Sequence, residues 1–101
     1  MMSYTLKLHR DVEKQLSRIQ KNHRERLVKA IRSLRGNPRP TRCAKLDRNL
    51  YRIREGQYRI IYGVFDDEVV VVVCKVARRT ESTYRDLQTL LDRGLKELLE
   101  D

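Results

Sequence analysis

Apolar and polar residues follow two different periods in the first third of the chain. They alternate from residue 4 to residue 9, which predicts a short strand with one buried face. Helical spacing follows in two apolar stripes, made of Val12, Leu16 and Ile19, and of Leu27, Ile31 and Leu34. We therefore expect two helices that form an antiparallel hairpin.

Polar residues and helix breakers mark the ends of these two helices. Asp11 lies near the start of the first helix, where its negative charge suits the positive end of the helix dipole. Asn22 offers a break or an N-cap between the helices. Gly36 and Pro38 follow the second stripe, where we expect the hairpin to end.

The middle of the chain has the composition of strands. Three strands are predicted at about 50–54, 57–65 and 69–76, joined by a Glu55-Gly56 turn and by an acidic turn at 66–68. A short strand near residues 44–46 precedes them. The third strand is almost all valine, so we expect a central strand that is covered on both faces.

Leucines at helical spacing predict a third helix from Ser82 to the C-terminus. The predicted fold class is therefore α+β: an N-terminal strand and a helical hairpin packed on a small antiparallel or mixed sheet of about four strands, with a C-terminal helix. With 101 residues, the chain is expected to form a single domain. Its core would span about 4–84, and residues 85–101 would be a helical extension.

The charge of the chain is strongly positive and unevenly distributed. The formal net charge is +9, and residues 1–60 carry net +12 against net −3 for residues 61–101. Such an excess indicates a polyanionic partner, namely nucleic acid, an anionic membrane surface or an acidic protein. A membrane fits least, because the longest apolar run, Val69 to Cys74, is far too short to span one.

The two cysteines indicate a reducing compartment. Cys43 and Cys74 lack CxxC spacing, and we expect reduced thiols in a cytoplasmic protein, the alternative being an incidental disulfide. No secretory segment is expected, because the first residues lead directly into a strand pattern. Cys74 lies in the valine run and is predicted to be part of the core.

Several kinds of site find no support in the sequence. His9 and His23 lack the spacing of metal ligands, and no carboxylates cluster for Mg²⁺. The four glycines form no phosphate-binding loop. We therefore predict neither a metal site nor a bound cofactor.

Arginines and a tyrosine remain as candidates for chemistry. Arg52 and Arg54 alternate with Tyr51 and Ile53, so one sheet face would carry the guanidinium groups above a packed face. Guanidinium groups hold phosphate in bidentate fashion. Arginines on a strand are also often solvated or paired with carboxylates, and both interpretations stay open here.

Cleavage of RNA without a metal would use the 2′-hydroxyl as the nucleophile, and it needs proton transfer and positive charge around the phosphate. Positive charge could come from Arg59 and from the pair Arg78 and Arg79, which follows the last strand. The phenol of Tyr84 could transfer a proton or stack on a base. Helix packing is the alternative role for Tyr84, and the core is the expected place for Tyr58 and Tyr62.

Five segments, taken in this order, resemble the RelE/ParE superfamily of bacterial and archaeal toxin-antitoxin toxins. They are Tyr4-Thr-Leu-Lys-Leu, Arg35-Gly-Asn-Pro38, Lys45-Leu46, the block from Leu50 to Tyr62, and Val76-Ala-Arg-Arg with Tyr84. The resemblance covers about residues 4–84. It implies a small α+β toxin that a cognate RelB-like antitoxin, with an acidic or amphipathic segment, holds inactive.

In the RelE-like branch, the resemblance implies cleavage of mRNA in the ribosomal A site without a metal. Arg59 and Arg79 would stabilise the phosphate, and Tyr84 would take part in proton transfer or base stacking. Arg52 and Arg54 match paired basic residues, which are lysines in the best-known RelE pattern. Further contacts to nucleic acid are expected from four basic residues, Arg78, Lys45, Arg48 and Arg42.

Two other functions fit the same scaffold. A ParE-like toxin would inhibit DNA gyrase by binding, without chemistry, and such relatives usually lack the pair Arg79 and Tyr84. A degenerate toxin would have lost catalysis and would only bind an antitoxin or DNA. The absence of both lysines leaves this alternative open.

Overall fold

A mixed β-sheet organises the chain in a computed structural model that describes residues 3–80 and 87–99. Within these residues the sheet has five strands in the order β1-β5-β4-β3-β2. The elements in chain order are β1 Thr5–Leu8, α1 Arg10–Ser17, α2 Lys21–Ser33, β2 Ala44–Asp47, β3 Leu50–Glu55, β4 Tyr58–Phe65, β5 Val70–Arg78 and α3 Leu87–Leu99. The predicted α+β class is confirmed. Ser82, the predicted start of the last helix, lies outside the described residues.

β1 joins the sheet as a fifth strand, whereas a sheet of about four strands was expected. β1 pairs in parallel with β5, Thr5 opposite Val70, whereas all other neighbours are antiparallel. This pairing places β5 inside the sheet, with α1 and α3 both in contact with it. The prediction of a central valine strand that is covered on both faces is therefore confirmed.

The two faces of the sheet carry separate apolar cores. The first core lies under α1 and α2, and it contains Tyr58 and Tyr62 as predicted. Leu27 of α2 and Leu34, which directly follows this helix, are completely buried there, which contributes about 1.5–3 kcal/mol for each side chain. The second core lies under α3 and contains Cys74 and Leu90. Burial raises the pKa of Cys74 to about 12, as expected for a thiol that fills space.

Both cysteines are free thiols, as predicted. Among the described residues, no helix has the length and apolarity that crossing a membrane requires.

The helix ends differ from the expected ones. His9 caps α1, because its Nδ1 accepts a hydrogen bond of 3.2 Å from the backbone N–H of Asp11. The prediction for Asn22 was wrong: α2 begins at Lys21 and Asn22 lies in its first turn. The side chain of Asn22 instead accepts a hydrogen bond from the backbone N–H of His23.

Two turns differ from the predicted ones: the first is shifted by one residue, and the second is longer by one residue. Glu55 pairs with Tyr58, so the two-residue turn is Gly56-Gln57 and not Glu55-Gly56. Gly56 has a φ of 60°, which suits the first central position of a type II′ hairpin turn. Val69 has a φ of 56° and precedes β5 instead of beginning it. A β-branched residue in this region costs about 1–3 kcal/mol.

Arg39 clamps the connector between α2 and β2 to the turn between β4 and β5. Its Nη1 and Nη2 donate to the two carboxylate oxygens of Asp66 at 3.1 and 2.6 Å, and its Nε donates to the Tyr51 hydroxyl at 3.0 Å. The Tyr4 hydroxyl also donates to Asp66, at 2.7 Å. Nearby, the buried Tyr62 hydroxyl donates to the Pro38 carbonyl. These bonds explain how a connector with little regular structure is fixed in place.

We predict that Gly94→Ala raises the free energy of unfolding by about 0.5–1 kcal/mol, because alanine favours the helix. A Cβ at this position would lie 3.6 Å from Cys74 Sγ and 3.7 Å from Phe65 Cζ, which are ordinary contacts. Gly56→Ala should lower the free energy of unfolding, because the φ of 60° at Gly56 disfavours any side chain. Urea denaturation measures both, and a destabilised Gly94→Ala variant would show that α3 packs differently.

We also predict that Asp66 contributes to stability above acidic pH. Hydrogen bonds from Arg39 and Tyr4 lower the pKa of Asp66. Its contribution is therefore present above the ordinary pKa of about 4 and is lost as the pH falls through the lower folded-state pKa. Asp66→Asn should flatten the acid limb of a plot of urea midpoint against pH. Asp67→Asn removes the carboxylate of the neighbouring residue, which is also exposed, and should leave that limb steep. Equal profiles would contradict the role of the clamp.

Candidate nucleic-acid site

Three arginines of the central hairpin share one face of the sheet. Arg54 pairs with Arg59 across β3 and β4, and Arg52 pairs with Ile61. Side chains alternate along a strand, so these arginines point away from the face of Tyr51 and Ile53, which are both buried in the first core. The predicted separation of the guanidinium groups from the packed residues is confirmed.

The three arginines differ in their burial. Arg54 is exposed, whereas Arg52 and Arg59 are half-buried. The Nε atom of Arg52 is buried and has no hydrogen-bond partner among the described residues. An unsatisfied buried donor costs about 1–3 kcal/mol. Arg52 is therefore not a freely solvated surface arginine.

An open pocket lies where the β3–β4 turn meets the end of β5. It has a volume of about 490 Å³ and is lined, among the described residues, by Gln57, Arg59, Arg78, Arg79 and Thr80. Three arginines from two separate segments therefore line one cavity. We call this cavity the arginine pocket.

Backbone hydrogen bonds hold the two segments of the arginine pocket together. Arg59 pairs with Ala77 across β4 and β5. Beyond this pair, the backbone N–H of Arg79 donates to the carbonyl of Gln57 at 2.7 Å. The end of β5 is thus attached to the hairpin turn, and Arg79 is held beside the residues that follow the turn.

The other predicted basic residues lie elsewhere. Arg42 donates to the Arg54 carbonyl at 2.8 Å and forms an ion pair of 3.1 Å with Glu55. Lys45 pairs with Tyr51, so it occupies the sheet face opposite Arg52. Arg48 lies in the turn after β2. The structure does not bring these three residues to the arginine pocket. Tyr84 lies outside the described residues.

Sequence reasoning missed three residues near this site. Gln57 and Thr80 line the arginine pocket, and Lys75 is half-buried opposite Ile61, in the same cross-strand row as Arg52. The signal for Gln57 was its position directly after Gly56 in a tight turn. The signal for Lys75 was a cation inside an otherwise apolar strand.

The described residues of the arginine pocket supply positive charge, and none of them carries a carboxylate, an imidazole or a thiol. A guanidinium remains protonated in proteins, so Arg59, Arg78 and Arg79 can bind phosphate oxygens and stabilise negative charge. A proton acceptor would have to come from another group. Among the described residues, no three or more His, Cys, Asp or Glu side chains are grouped so that they could hold a metal ion.

Sequence comparison places these residues in a known context. A family model described as the ParE toxin of a type II toxin-antitoxin system, parDE, matches residues 4–83. The protein named "Putative toxin RelE1" of Methanocaldococcus jannaschii is 27% identical over 90 residues, which cover 84% of this chain and 99% of the relative.

Solved structures show the same fold. The archaeal RelE–RelB complex from Pyrococcus horikoshii OT3 matches with a TM-score of 0.73 and 32% identity, over 80% of this chain and 100% of the other. A variant of E. coli toxin RelE in the free state, with two arginines replaced by alanine, matches with a TM-score of 0.69 and 25% identity, over 97% and 100%. The chain therefore belongs to the RelE/ParE superfamily of toxins from toxin-antitoxin systems.

Proposed function

We propose that this RelE-like toxin is an endoribonuclease that cuts mRNA in the ribosomal A site without a metal. The observation that supports it best is the arginine pocket, where Arg59, Arg78 and Arg79 line one cavity. A cluster of permanent cations suits the crowded, negatively charged phosphate of RNA cleavage. From the resemblance to RelE proteins, we propose the ribosome as the partner and mRNA as the substrate.

In the proposed reaction, the 2′-oxygen attacks the adjacent phosphorus while the bond to the 5′-oxygen breaks. The 2′-hydroxyl loses a proton, the leaving 5′-oxygen gains one, and the products are a 2′,3′-cyclic phosphate and a 5′-hydroxyl. Arg59 and Arg79 stabilise the charge on the phosphoryl oxygens. Tyr84 takes part in proton transfer or stacks on a base.

Arg52 and Arg54 have an electrostatic role in this proposal. A lysine can give up a proton when its pKa is lowered, but an arginine cannot. Both arginines share the sheet face of Arg59 by register, so their charge adds to that of the arginine pocket. Arg42, Lys45 and Arg48 lie away from the pocket, and they would contact RNA phosphates outside the site of cleavage.

A ParE-like toxin that binds gyrase is the second candidate. The family model that matches residues 4–83 is described as a ParE toxin, and this description favours it. The presence of Arg79, together with Tyr84 in the sequence, favours the nuclease. The two candidates differ in what they inhibit, so the same purified protein can be tested against both targets.

We predict that Arg59→Ala and Tyr84→Ala each abolish growth arrest while the fold stays intact. The cleavage rate on programmed ribosomes should fall about 10²–10³-fold for Arg59→Ala and about 10²–10⁴-fold for Tyr84→Ala. Mapping of mRNA 5′ ends measures the rate, and circular dichroism checks the fold.

Arg32→Ala removes an exposed arginine of α2 and serves as the matched control, with toxicity expected to remain. Gyrase supercoiling is measured in parallel. Growth arrest retained by both site variants would contradict the nuclease, and inhibited supercoiling without mRNA cleavage would establish the second candidate.

We further propose that a RelB-like antitoxin neutralises the toxin through an acidic or amphipathic segment. Similar toxins have been solved as RelE–RelB complexes. A groove of about 380 Å³ lies between α2 and the end of β3, and Arg26, Lys29 and Arg42 are among the residues that line it. These cations make the groove a suitable place for acidic side chains.

We predict that the double change Arg26→Glu and Lys29→Glu raises the Kd for the antitoxin at least about tenfold, because two attractive contacts become repulsive. Lys14→Glu with Lys21→Glu changes the net charge equally at exposed positions outside this groove and should have a much smaller effect. Titration calorimetry measures both affinities. Equal affinities, or co-expression that leaves toxicity unchanged, would speak against this docking site.

A further inference from the structure

Gln57 differs chemically from the cations that share its pocket. Arg59, Arg78 and Arg79 can only donate hydrogen bonds, whereas a primary amide has an acceptor oxygen beside an N–H₂ donor. Gln57 is the one primary amide among the described lining residues, and Thr80 adds a hydroxyl. Cations bind phosphates, which carry no sequence information, and amides can read the edges of bases.

The backbone holds Gln57 in a fixed place. Its carbonyl accepts the Arg79 N–H at 2.7 Å, and its neighbour Gly56 takes the φ of 60° that closes the tight turn. Gln57 is exposed and lines the pocket. A recognition group on a rigid support loses little freedom on binding, so this position suits a residue that selects between ligands.

We infer that Gln57 is a specificity-determining residue, which reads one base beside the phosphate that the arginines hold and selects adenine. On the edge that carries N7, adenine presents a donor beside an acceptor, which matches an amide, and guanine presents two acceptors, which match a guanidinium. Pyrimidines have no N7. Single-stranded RNA exposes these edges to a protein. This inference rests on the proposed function, since it names the base that the same pocket accepts.

The pocket has room for such a ligand. Its volume of about 490 Å³ lies within the range of about 300–1,000 Å³ that is usual for sites that bind small molecules. A nucleotide would place its phosphate on the guanidinium groups and its base on the amide. Arginines alone would favour guanine, so the amide is the feature that shifts the preference toward adenine.

Binding of short RNA tests the inference without cleavage. The probes are heptanucleotides with A, G, C or U at the centre of a constant uridine background, with 2′-O-methyl groups that block transesterification. The wild-type protein should bind the adenine probe about five- to thirtyfold more tightly than the uridine probe. Gln57→Ala should reduce this ratio to about one, and Gln57→Arg should turn the preference toward guanine.

Gln20→Ala is the matched control, because Gln20 is exposed at the start of α2 and makes no side-chain capping bond. It should keep the adenine preference of the wild type. In parallel, mRNA 5′ ends from programmed ribosomes should show adenine enriched at one position near the cut, and Gln57→Ala should remove this enrichment.

The outcomes separate the two proposals. Equal binding of all four probes by the wild type, or an adenine preference that survives Gln57→Ala, would overturn the role of Gln57. Adenine-selective binding that depends on Gln57, without any cleavage on ribosomes, would support that role and contradict the nuclease. Cleavage with unchanged base preference in Gln57→Ala would support the nuclease and overturn the inference.

Discussion

Hydrogen bonding of β4 to both of its neighbours is the constraint on which the site depends. Arg59 lies opposite Arg54 on one side and opposite Ala77 on the other. The same ladders continue to the bond between Arg79 and Gln57, so the arginine pocket is an extension of regular pairing. Like charges repel one another, and these backbone hydrogen bonds keep Arg59 and Arg79 on adjacent segments despite that repulsion.

The sheet divides its two faces between different tasks. The face under α1 and α2 is packed with tyrosine and aliphatic side chains. Among the described residues, the other face is apolar near α3, where Leu50, Ile61 and Leu90 pack together, and it becomes cationic toward the β3–β4 turn. The stability of the fold therefore comes largely from regions where the arginines are absent, which leaves the charged end available for a ligand.

The sequence was informative wherever one period or one residue type dominates. The alternation in β3 predicted that Arg52 and Arg54 share one sheet face, and the valine run predicted that β5 is an internal strand. The sequence could not show that β1 pairs in parallel with β5, because that pairing depends on distant segments. The turn was misplaced at Glu55 because strand pairing, and not the glycine alone, decides which residues leave the ladder. Lys45 was grouped with the arginines because charge alone does not reveal on which face an edge strand places a residue.

The pairing of Thr5 with Val70 has a consequence for the order of assembly during translation. The first strand leaves the ribosome early, but its partner follows only after some sixty further residues, which takes roughly 3–13 s at about 5–20 residues per second. Until then the sheet lacks the internal strand β5 and, with it, the segment that carries Arg78 and Arg79. In a nascent chain the cation cluster therefore cannot form before the segment that carries Arg78 and Arg79 has emerged.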